Sequence, residues 1–114
     1  MTRIPWEVEE MVVMVDLYLR AKAHEVDDLT EELDLLSLKL CRRAEILGIE
    51  HDEKYRNLSG MKMILENVKS VDTGGEDGLP NAANVISEIL ELQRLCPSVF
   101  KRICDSFNAH YSGH

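Results

Sequence analysis

Residues 28–48 read DLTEELDLLSLKLCRRAEILG, and the spacing of their apolar side chains decides the fold. Leu29, Leu33, Leu36, Leu40, Ala44 and Leu47 recur at steps of four or three, which lines them along one face of an α-helix. Asp28, with Glu31 three residues on, resembles a capping box at the start of that helix. Gly48 stands where a helix leaves into the left-handed conformation that glycine adopts freely. The stretch predicts a helix over 29–47.

Working outward, residues 6–22 carry Trp6, Met11, Met14, Val15, Tyr18 and Leu19 at helical spacing. Pro5 suits a first helical position, and Glu7, Glu9 and Glu10 suit the positive end of the helix dipole. Residues 49–57 show no sustained period and read as a loop. A third helix is expected from about Ser59 to Val71, burying Met61, Ile64 or Leu65, Val68 and Val71. Three glycines and a proline make 72–82 the strongest loop signal. A fourth helix over 82–95 turns Val85, Ile86, Ile89, Leu90 and Leu92 inward. A fifth begins at Pro97 with Phe100, Ile103 and Phe107. No segment alternates as a strand does. The chain therefore reads as all-α: one domain over 1–114, a compact bundle of about five helices, with a helix-turn-helix-like pair at 29–47 and 59–71.

The bulk composition bounds the function. A content of 45% hydrophobic and 30% charged residues is that of a globular protein, and scarce aromatics leave Leu, Ile, Val and Met to fill the core. The longest strongly apolar run, Met11 to Val15, is far short of the ~20 residues that cross a bilayer, so no membrane partner is expected. The N-terminal residues lack a secretory pattern, and three cysteines without CxxC spacing fit a reducing compartment. A cytoplasmic location is expected.

The net charge is −8, unevenly spread. Residues 1–38 hold three basic and ten acidic side chains, whereas residues 39–69 hold seven basic and five acidic. Only that middle third would welcome a phosphate.

Catalytic chemistry finds little footing. Cys41, Cys96 and Cys104 sit in or beside apolar helical patterns and read as small buried thiols. His110 and His114 have the spacing of a shared helical face, but nothing resembles HExxH or a four-ligand set, so no metal and no other cofactor is expected. The glycine-rich DTGGEDG lacks the GK[ST] of a phosphate loop. Carboxylate pairs such as Glu9/Glu10 and Glu31/Glu32 are expected on solvated faces, whereas acid–base work needs a desolvated pocket. The chain is read as not an enzyme.

What remains is the helix pair. A helix-turn-helix reader presents the first residues of its second helix to base edges while flanking basic side chains hold phosphates. Asn57, Ser59 and Lys62 form the edge-facing set on this reading, and Arg42, Arg43, Lys54 and Arg56 the phosphate set. The plainer alternative makes Asn57 and Ser59 helix caps and the basic residues a solvated face.

The blocks PWEVEEMVVMVDLYLR, LSLKL, YRNLSGMKMILENVKSVD and GLPN, in that order, resemble the small helical N-terminal domain of HNH-type and other restriction-like endonucleases. The residues that carry the resemblance are Trp6, Glu9, Glu10, Tyr18, Leu19, Arg56, Asn57, Gly60, Lys62, Asn67, Gly78, Leu79 and Asn81, and it spans about residues 4–95. It implies a DNA-recognition-like accessory module with Arg56, Asn57 and Lys62 on its contact face. It brings no nuclease centre, because the sequence has neither an HNH-like histidine cluster nor a PD-(D/E)xK set.

Three functions follow as expectations. The first is a non-catalytic DNA-binding module tied to restriction or phage defence. The second is an acidic phage-encoded inhibitor, anti-restriction or anti-CRISPR, that binds a nuclease or CRISPR effector through Glu31, Glu32 and Asp34. The third is an oligomerisation domain, a homodimer joined through the leucine stripe of 29–47 or the methionines.

Overall fold

A computed structural model describes residues 5–74 and 80–112, the side chains of 80–83 excepted. Along these residues the chain forms α1 (Val8–Lys22), α2 (Leu29–Leu47), α3 (Leu58–Asp72), α4 (Pro80–Leu95) and α5 (Pro97–Tyr111), with no strand. The all-helical bundle foreseen from the apolar spacing is present. Its radius of gyration of 13.7 Å is that of a tightly folded domain of this length. Of the loop glycines, Gly74 follows α3 with φ 78°, whereas Gly75 and the resemblance positions Gly78 and Leu79 lie outside the described residues, as does His114.

The middle of the bundle is α1. Met11, Val12, Val13, Met14, Val15 and Leu17 are all buried, so this helix is apolar on nearly every side. Such a helix must be enclosed rather than laid on a surface, and α1 indeed packs against each of the other four. It starts later than the sequence indicates. Glu7 is its N-cap, and Glu10 Oε1 accepts a hydrogen bond from the Glu7 backbone N–H at 3.0 Å. Pro5 and Trp6 precede the helix instead of opening it. At its other end His24 takes a left-handed φ of 60°, and the Glu25 N–H closes onto the Arg20 carbonyl at 2.9 Å.

The second helix ends as its sequence dictates. Asp28 Oδ1 accepts from the Glu31 N–H at 3.1 Å, and Gly48 turns the chain with φ 73°. Leu33, Leu36, Leu40 and Ala44 form its buried stripe, while Leu29 and Leu47 at the two ends are exposed. That stripe packs within the bundle, so it is not available to join a second copy. Three of the methionines, Met11, Met14 and Met61, are core as well.

The third helix buries Met61, Ile64 and Val68. Its C-terminal carboxylate, Asp72, accepts from Tyr18 Oη and from Lys22 Nζ, both at 2.8 Å, and so joins the C-terminal ends of α1 and α3. An acidic side chain opposes the dipole at that end, and Lys22 supplies the compensating cation. Ile86 and Ile89 of α4 and Phe100, Cys104 and Phe107 of α5 complete the core. The cysteines differ from the expectation of three buried thiols. Cys104 is buried, Cys41 is half-buried, and Cys96 is exposed at the α4–α5 corner.

Candidate functional site

The loop between α2 and α3 places the residues on which the DNA reading rests. It ends with Arg56 in a left-handed conformation, φ 50°, uncommon for a residue with a side chain. The Ser37 hydroxyl donates to the Arg56 carbonyl at 2.8 Å, which fixes that turn against α2. Its side chain then points inward. Arg56 Nε donates to Glu10 Oε2 at 2.7 Å and Nη2 to Glu10 Oε1 at 2.8 Å, a two-pronged pairing suited to guanidinium and carboxylate. Nη2 also donates to the Pro5 carbonyl at 3.0 Å. The guanidinium carbon lies 4.2 Å from the Trp6 ring centre and 4.3 Å from that of Tyr55, so two aromatic faces enclose the cation.

Arg43 enters the same cluster from α2. Its Nε donates to Glu9 Oε1 at 2.5 Å and its Nη1 to Glu7 Oε1 at 3.0 Å, with Glu10 Oε1 3.9 Å away. Burial disfavours the Arg43 cation, but the hydrogen bonds to Glu7 and Glu9 outweigh it and hold the guanidinium above its ordinary value. Tyr55 donates to Glu10 Oε2 at 3.3 Å. Its phenol is raised by burial and by the Glu10 charge.

Two expectations are corrected here. The sequence places Arg43 and Arg56 in a phosphate-holding set, yet both are buried, and their guanidinium groups are committed to carboxylates. Glu10, read as solvated, is fully enclosed with 0% exposure. A buried carboxylate is tolerable only when paired and hydrogen-bonded, and these two arginines meet that need. The cluster is an internal fastening of α1, α2 and the 49–57 loop.

The other positions of the proposed reading edge behave differently. Asn57 is the α3 N-cap, its Oδ1 accepting from the Gly60 N–H at 2.9 Å. Ser59 lies within the first turn of α3 and is exposed, as are Lys54 and, one turn further on, Lys62. Arg42 is exposed too, but on the outer side of α2 rather than beside the start of α3. The acidic trio divides similarly. Glu31 and Asp34 are exposed, whereas Glu32 is half-buried with Arg20 Nη1 3.8 Å away.

Sequence periodicity alone passed over the outer face of α2. Leu35, Leu38 and Ile46 are 48%, 68% and 60% exposed, and Arg42 lies among them. Their spacing of three, four and four residues aligns them opposite the buried stripe. Glu31 and Asp34 flank the N-terminal end of this strip.

A cleft of about 60 Å³ opens between α1, α2 and α5, lined by Asp16, Arg20, Glu32, Lys39, Cys104 and Asn108 among others. It has room for roughly two water molecules. Arg20 pairs with Asp16 at 3.0 Å and Lys39 donates to Asn108 Oδ1 at 2.9 Å, so its polar rim is internally engaged. Burial and the Asp16 charge push the Cys104 thiol up to about 12, which makes it a poor nucleophile. Among the described residues no cluster of three or more His, Cys, Asp or Glu side chains is arranged to hold a metal ion. No described helix is long and apolar enough to cross a membrane.

Comparison with protein-family models, with curated proteins and with solved structures yields no significant match. None of these comparisons supports the expected likeness to an endonuclease accessory domain. Of the residues that carry that expectation, Glu10 and Arg56 are buried in the ion-pair cluster, and Asn57 is exposed as the α3 cap.

Proposed function

We propose that this chain is a protein-binding helical module whose docking surface is the outer face of α2. The observation that carries the reading is the exposure of Leu35, Leu38 and Ile46 on one side of a helix whose opposite side already supplies the core. An aligned apolar strip bordered by charge is the common form of a helix-mediated protein contact. Glu31 and Asp34 give it an acidic border, which suits a partner bearing matching basic side chains.

The test is a photoactivatable leucine at position 38, with an equivalent probe at the exposed Glu88 as control. Cross-linking to polypeptide from position 38 and not from position 88, in extract of the native host, is the expected result. Equal or absent cross-linking from the two positions would sink the reading.

A second reading keeps DNA as the ligand, on the observation that Lys54, Ser59 and Lys62 are exposed around the start of α3. Its exposed basic set is reduced to Arg42, Lys54 and Lys62, against a chain that is acidic overall. Duplex binding on this reading is weak and falls steeply with added salt. A gel-shift series at low ionic strength that retards no duplex would remove it.

A further inference from the structure

We infer that the partner seated on the outer α2 strip is a second copy of this chain, packed antiparallel across a two-fold axis between Leu35 and Leu38. The inference rests on the protein-binding reading and names the occupant of that surface. Its basis is self-complementarity. Glu31, Leu35, Leu38 and Arg42 follow one another at steps of four, three and four residues, the repeat that keeps a seam facing a partner helix.

When two such seams run antiparallel, Leu35 of each copy meets Leu38 of the other, and Arg42 of each meets Glu31 of the other. An apolar centre is thus closed at both ends by an ion pair, each contact occurring twice, as an isologous two-fold interface requires. Arg42 lacks an ion-pair partner among the described residues. Glu31 is exposed, and its backbone N–H donates to Asp28 Oδ1. A parallel arrangement would set Arg42 against Arg42 and Glu31 against Glu31, which like charges disfavour. The helix dipoles also oppose one another favourably only when the pair is antiparallel.

The seam is short, and an interface built on it falls at the small end for specific association. Half-dissociation is expected on the order of micromolar concentrations.

Sedimentation velocity over a dilution series, with the purified full chain, tests the inference. Wild type should pass from dimer to monomer on dilution, and Leu38→Glu should be monomeric throughout while keeping the wild-type circular dichroism. Glu31→Arg and Arg42→Glu, each alone, should weaken the dimer about tenfold or more. The combined exchange should restore it to within about threefold of wild type, because opposite charges face one another again. A monomer at every concentration, a dimer that survives Leu38→Glu, or a combined exchange no better than the single ones would each overturn the inference. The cross-link at position 38 separates the two levels. A product of twice the chain mass supports the second copy. A product with a different polypeptide leaves the protein-binding reading standing and removes this one.

Discussion

Arg56 reaches across 46 residues of sequence to hold both carboxylate oxygens of Glu10, at 2.7 and 2.8 Å, inside the bundle. Glu10 is the best-shielded charge in the described structure, and Arg56 is the turn residue that closes the loop before α3. One contact therefore fixes the start of α1, the end of the 49–57 loop and the start of α3 relative to one another.

Removing the arginine should be costly. Arg56→Ala leaves Glu10 buried without its main counter-charge, and breaking a buried pair in this way typically costs about 3–5 kcal/mol. Arg56→Lys should recover only a minor part, since an ammonium cannot make the two-pronged contact or stack flat between Trp6 and Tyr55. Urea unfolding of both variants checks this. Losses below about 1 kcal/mol would show that Glu10 is accommodated in another way.

The two cap candidates of α3 should separate cleanly. Asn57→Ala removes the acceptor for the Gly60 N–H and should cost about 1 kcal/mol, whereas Ser59→Ala, at an exposed helical position, should fall within about 0.5 kcal/mol of zero. Thermal unfolding of the pair decides it.

The Tyr18–Asp72–Lys22 cluster should leave a signature at both ends of the pH scale. The hydrogen bond from Lys22 leads in holding the Asp72 carboxyl below its ordinary value, against the effect of burial. Its folded value is depressed, so the stability it contributes is present above the ordinary carboxylate range and is lost as pH falls through the lowered one. Asp72→Asn should flatten that acid limb. Burial, then the hydrogen bond to Asp72, raise Tyr18 to about 12. That contribution is complete below the ordinary phenol value and fades as pH rises towards about 12. Following phenolate absorbance in wild type and Tyr18→Phe should show the late titration step disappear in the variant.

If the chain contacts DNA, the exposed lysines carry the salt dependence. Lys54→Ala and Lys62→Ala should each reduce the slope of binding against salt by about one while leaving thermal stability within experimental scatter. Arg56→Ala should act in the opposite sense, lowering stability whether or not nucleic acid is present. Filter binding and thermal unfolding on the same three variants separate the roles.

The element pattern was legible because helices report themselves through period and punctuation. Asp28 and Gly48 bound α2 at the positions their chemistry indicates, and Met61, Ile64 and Val68 face the core as their spacing implies. The direction of charged side chains was not legible. Arg56 reads as a surface cation until its left-handed backbone turns it inward, and φ at a non-glycine position has no reliable mark in sequence. Glu10 resembles an ordinary first-turn acid, and only a partner 46 residues away explains its burial. The strip on α2 failed for a different reason. In LDLLSLKL the leucines occupy both sides of the helix, and the core stripe Leu33, Leu36 and Leu40 masks Leu35 and Leu38 lying behind it.

The enclosure of α1 has a consequence for synthesis. This helix leaves the ribosome before any of the four that will surround it, carrying apolar side chains on nearly every side. Packing against α2 alone leaves most of it uncovered until α3, α4 and α5 have also emerged. Its exposed interval lasts until α5 has been translated, so chaperone dependence and aggregation during expression should follow the elongation rate between Lys22 and Tyr111.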